Sequence, residues 1–264
     1  MKKIYIKRLT ALLLALVLCA GALAACGKKE NSPAEDTTAA GESDAGDDID
    51  LDEYIANVLS DGPEEGEEVT PVLDEEIDED ELSRSNSLLV EYTKISPNKS
   101  EPRNHKIDTI TIHCMAGQLS VEACGNVFAQ TKAKASSNYG VGKDGRIAMY
   151  VEEKDRSWCS SNAENDNRAI TIEVASDSTP PYKVTDAAYQ ATIKLVADVC
   201  KRNGIKRLVW STDSATRVNH DRGANMTVHR DFANKACPGD YLYDRMGDIA
   251  WEVNSILAGK NIPK

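Results

Sequence analysis

Hydrophobic and polar positions alternate in some runs of the second half of the chain and recur at helical spacing in others. IDTITIHC (107–114) alternates β-branched apolar residues with polar ones, which predicts a strand. AITIEVA (169–175) and the shorter RLVWS (207–211) read the same way. SVEACGNVFAQ predicts a helix with Ser120 as its N-cap. In TDAAYQATIKLVADVCKRNG the expected N-cap is Thr185. Tyr189, Ile193, Val196 and Cys200 fall on one helical face, and Gly204 is the stop. Residues 245–258 carry Ile249, Val253, Ile256 and Leu257 at helical spacing, with Gly259 beyond, and predict a closing helix. NYGVG and RIAMYV flank Lys143-Asp144-Gly145, an Asp-Gly hairpin signal. Trp210 and Trp251 are expected in the core. A hairpin combined with helical crossovers gives an α/β class: one domain with a central mixed sheet flanked by helices. No internal repeat is visible.

The first third of the chain has different physics. Residues 1–26 carry four basic and no acidic side chains, and 9–25 are apolar and end in small residues. This is the layout of a secretory signal peptide. Leu23-Ala24-Ala25-Cys26 followed by Gly27 resembles the lipobox of bacterial lipoproteins, which implies cleavage before Cys26 and lipidation of its thiol. The alternative is an uncleaved anchor helix, although 17 residues is the short limit for a span. Residues 27–88 hold three basic against 22 acidic side chains, a net charge of −19. Like charge with few large apolar groups predicts a disordered spacer, relieved by one short amphipathic helix around Leu51–Leu59. As a coil it reaches about 45 Å. The expected partition is therefore signal 1–25, Cys26 and acidic linker 26–88, and a folded domain 89–264.

Residues 89–264 hold 24 basic and 21 acidic side chains, so the whole chain's −12 belongs to the linker. No basic surplus exists to neutralise phosphates, which argues against nucleic acid as a partner. Nothing signals an oligomer.

The candidate chemistry collects at strand ends. His113 closes TITIH; His229 opens HRDFANKACPGDYL, with Lys235 and Cys237 following. Two imidazoles and a thiolate suit a catalytic zinc with one position left open. By residue type alone a second reading stays open, with His113 a hydrogen-bonded strand-end histidine and Cys237 a small buried hydrophobe. His105 and His220 read as loop residues.

ITIHCMAG, SSNYGVGKDGRI, AITIEVA and TVHRDFANKACPGDYL, in that order over about 105–258, resemble the zinc-dependent N-acetylmuramoyl-L-alanine amidase superfamily. That group includes type-2 bacterial amidases and the peptidoglycan-recognition proteins. The resemblance implies a zinc on His113, His229 and Cys237 at the floor of a peptidoglycan groove. It implies Lys235 as the cation for the oxyanion and Glu173 as general base. Phage members place a tyrosine where this chain has Ser137, which shifts that burden to Glu173. Tyr139, although nearby, does not take the tyrosine's place. The loop 157–169 carries Trp158, Asn162 and Asn167, candidates for sugar and stem-peptide contacts. The implied activity is cleavage of the bond between N-acetylmuramic acid and L-alanine, outside a bacterial membrane. The alternatives are a non-catalytic peptidoglycan-binding module and a zinc hydrolase of another stem-peptide amide. Among Cys114, Cys124, Cys159 and Cys200, a Cys114–Cys124 bridge is one option and Cys200 is expected free.

Overall fold

The computed structural model describes residues 85–260. The signal stretch, Cys26 and nearly all of the acidic linker, including the short helix expected there, lie outside the described residues. No helix among those described is long and apolar enough to cross a membrane.

A six-stranded sheet forms the centre. Its strands are β1 (Tyr92–Thr93), β3 (Thr109–Cys114), β4 (Tyr139–Val141), β5 (Ile147–Met149), β7 (Ala169–Val174) and β8 (Met226–Thr227). The order is β1-β5-β4-β7-β3-β8, and every pair is parallel except the β4–β5 hairpin. A small antiparallel pair, β2 (Lys99–Ser100) and β6 (Arg156–Ser157), stands apart. The sheet is thus mixed, and helices cover both its faces.

Alternation along the central strands gives the sheet two unlike faces. Ile110, Ile112, Ile170, Ile172, Val141 and Ile147 share one buried apolar cluster with residues of α3 (Asp186–Arg202) and α6 (Met246–Leu257). The other face carries Thr109, Thr111, His113, Thr171 and Glu173, all buried. Towards β5 that side meets α1 (Val121–Phe128), where Tyr150 donates its hydroxyl to the Val121 carbonyl. Gly140, paired with Glu173 on β4, allows this packing: a Cβ there would stand 2.5 Å from the Tyr150 ring.

Local chemistry sets the helix starts. The Ser120 hydroxyl accepts from the Ala123 N–H at 3.2 Å, and Thr185 accepts from Ala188 at 3.1 Å, each satisfying a first-turn donor. Asn162 caps α2 (Ala163–Arg168), accepting from Asn165 at 2.8 Å. Two further helices, α4 (Ser214–Val218) and α5 (Gly239–Tyr243), are short.

Three expectations are corrected. RLVWS is not a strand. The Leu208 N–H goes to the Asn254 carboxamide and the Val209 N–H to that of Asn225, so the segment is pinned by side chains instead of a ladder. The edge position beside β3 is taken by β8 instead. Trp251 is not core but 62% exposed, because Met246, Ile249, Ala250 and Val253 occupy the buried face of α6 and position 251 falls opposite. Trp210 is half-buried under the Arg217 guanidinium, 4.3 Å from the ring. The Cys114–Cys124 option also fails, since Cys114, Cys124, Cys159, Cys200 and Cys237 are all free thiols. Cys114 belongs to the apolar cluster and Cys124 to the α1 side of the sheet.

Candidate metal centre

Parallel pairing of β3 with β7 sets His113 directly beside Glu173 near the strands' C-terminal ends. His113 is 0% exposed. Burial, and then the nearby His229, hold its imidazole well below the usual histidine pKa, so it stays neutral at pH 7 and keeps a lone pair. The two rings stand 5.1 Å apart, edge to face.

His229 follows β8 and opens the 3₁₀ turn His229–Asp231. A buried ion pair fixes that turn. Asp231 accepts from the Val228 N–H at 3.1 Å and from Arg217 through Nε at 2.9 Å and a second guanidinium nitrogen at 2.5 Å. Asp231 and Arg217 are both buried, which makes the pair a rigid brace behind the histidine.

Cys237 precedes Pro238 and α5. Gly239 has φ +76°, and a Cβ on it would lie 2.4 Å from the Tyr182 Cβ, so only glycine lets this turn close against that neighbour. The Cys237 sulfur lies 3.4 Å from His113 Nδ1 and accepts from the Cys114 backbone N–H at 3.4 Å. Burial, and then the neighbouring Cys114 thiol, push the Cys237 thiol well up, so its ionised form needs a cation beside it.

One donor atom each from His113, His229 and Cys237 lies within 4.8 Å of the others, and all three side chains are buried. On a tetrahedral zinc, a sulfur and a nitrogen ligand stand about 3.5 Å apart. The 3.4 Å between Cys237 Sγ and His113 Nδ1 matches that spacing. Two neutral imidazoles and one thiol are also the donor types zinc takes, so the residues present fit the ion.

Glu173 is buried beside this trio, and the Cys159 thiol donates to its Oε1 at 3.8 Å. Lys235 is half-buried on the loop leading to Cys237. Ser137 turns its hydroxyl onto the Tyr139 carbonyl at 2.8 Å. Tyr139 itself points to the other side of the sheet, donating to Glu153 at 2.6 Å, so neither replaces a base at the trio.

The segment 157–166, from the end of β6 into α2, is tied to the polar face by its own network. Asp166 accepts from the Cys159 and Ser160 N–H groups and from the Ser160 hydroxyl. Asn165 joins Thr111, Thr227 and Ser160, while Ser157 meets Thr171. This brings in two residues that sequence reasoning missed: Cys159 beside Glu173, and Ser161, whose hydroxyl stands 3.2 Å from His229 Nε2. Of the groove candidates, Trp158 is half-buried with its indole N–H on Ser100 Oγ at 2.9 Å. Asn162 spends its carbonyl oxygen on the cap of α2. Asn167 sits two residues before β7, at the opposite end of that strand from Glu173, and accepts from the Asn104 N–H.

Residues 103–240, more than half of the chain, match the family model described as N-acetylmuramoyl-L-alanine amidase. The chain belongs to that family. Its matched span opens ahead of β3 and runs through His113, Glu173, His229 and Cys237. No curated protein matches the chain. Similar solved structures include PlyL, at 15% identity over 62% of this chain and 96% of that one, with a TM-score of 0.47. Another is the N-acetylmuramoyl-L-alanine amidase LysC from Clostridium intestinale (18%; 62% and 95%; TM-score 0.44). A third is the Drosophila peptidoglycan recognition protein SA (16%; 56% and 82%; TM-score 0.43).

Proposed function

We propose that this amidase domain is a zinc hydrolase that cleaves the amide joining N-acetylmuramic acid to L-alanine in peptidoglycan. The observation that carries the reading is the convergence of His113, His229 and Cys237, from two strand ends and a turn, on one buried point. A zinc ion held there supplies Lewis-acid polarisation and the acidification of water towards neutral pH. The chain's own residues do the rest. Glu173, beside His113, accepts the proton of the attacking water and passes it to the leaving amine of L-alanine. Lys235 donates to the oxyanion that develops on the lactoyl carbonyl. Ser161 positions His229 through its hydroxyl. Trp158 and Asn162 are the proposed contacts of the glycan and stem peptide; Asn167, at the far end of β7, is not among them.

The proposal extends to placement. Residues 1–25 direct export, Cys26 carries a lipid, and the acidic linker holds the domain away from the outer face of the membrane, within reach of the wall. Mass spectrometry of purified sacculi digested with the full chain tests the reaction. Free stem peptides beginning at L-alanine, absent when a chelator is added, are the expected products; intact muropeptides would refute it.

A further inference from the structure

His113 faces two sets of donors. Its Nδ1 lies 3.4 Å from Cys237. Its Nε2 is buried and has no hydrogen-bond partner among the described residues. A nitrogen of His113, the sulfur of Cys159 and a carboxylate oxygen of Glu173 form a second trio whose atoms all lie within 4.8 Å of one another, and all three residues are buried. Cys159 to Glu173 is 3.8 Å, close to the separation of two ligands on one tetrahedral ion.

We propose that His113 Nε2, Cys159 Sγ and the Glu173 carboxylate form a second, inhibitory binding position for zinc, sharing His113 with the first. The chemistry favours a cation there. A borderline-soft divalent ion displaces the thiol proton and the ring proton of His113 into solvent, and gives both the thiolate and the carboxylate a positive partner. Thiolate, imidazole and carboxylate are all zinc ligands. With its carboxylate engaged, Glu173 no longer accepts a proton from water. This consequence, unlike the binding, rests on Glu173 being the base. Zinc therefore acts at two levels: the first ion is required, and excess silences the site.

The test is a cobalt titration of the metal-stripped full chain, read by equilibrium dialysis and by the near-ultraviolet thiolate-to-cobalt band. The wild type is expected to bind one equivalent more than Cys159→Ser, and one more than Cys237→Ser. Glu173→Gln, which keeps the thiol, must lose the same equivalent as Cys159→Ser, and circular dichroism checks that each variant is folded. Hydrolysis is then followed with rising free zinc. At about ten times the dissociation constant of the second position, mass action lowers the wild-type rate about tenfold. The rate of Cys159→Ser relative to its own zinc-replete value stays unchanged. Equal stoichiometry in wild type and Cys159→Ser would overturn the second position, whether or not the chain is active on sacculi. An extra equivalent without inhibition would instead overturn the regulatory role and, with it, the role given to Glu173.

Discussion

The two faces of the central sheet are built from the same strands yet obey different rules. On the face towards α3 and α6, isoleucines and valines pack into a cluster whose attraction is non-directional, so what matters there is volume. On the other face Thr111, Thr171, His113 and Glu173 are just as buried, but every polar group must find a partner in the right direction. Thr111 finds Thr227 and Asn165; Thr171 finds Ser157 and Asn138. The difference is between a face that supplies stability and a face that supplies position. Donors for an ion can be held only on the second.

The largest expected effect is His113→Ala, which abolishes hydrolysis of sacculi and metal retention while the far-ultraviolet circular dichroism stays native. Activity at the wild-type level would show that the polar face holds no reactive site. Next, Glu173→Gln is expected to lower kcat by about 10²–10⁴-fold, the usual cost of losing a general base. Retention of kcat would remove Glu173 from the reaction. On the opposite face, Ile172→Ala should cost about 2–5 kcal/mol in urea unfolding, the range for emptying a buried isoleucine site. Metal content per folded molecule should not change, and its loss would mean that the faces are coupled. Smallest, Trp251→Ala on the exposed side of α6 should shift stability by no more than about 0.5 kcal/mol.

Much of this organisation was legible from the chain because its causes are local. Period-two alternation in TITIHC and AITIEV, the Asp-Gly turn, and the caps Ser120 and Thr185 each act within a few residues. The trio was legible only through family resemblance, since spacing between residues 113 and 237 carries no geometric rule. RLVWS misled because its short apolar run is real, but the backbone is claimed by Asn225 and Asn254 from distant segments. Trp251 misled because an indole favours burial by its chemistry while its helical phase turns it to solvent. Cys159 and Ser161 left no signal at all. The path of their loop is dictated by Asp166, which takes the Cys159 N–H, and by Asn165, which reaches across to Thr111 on β3, and no periodicity records that.

The segment that carries Cys237 reaches its place by leaning on Tyr182, with the Tyr241 N–H bound to the Pro181 carbonyl at 2.9 Å. This clasp joins a stretch ahead of α3 to the turn that opens α5, so the place of the third donor is set by residues that are not donors themselves and stand far from it in sequence.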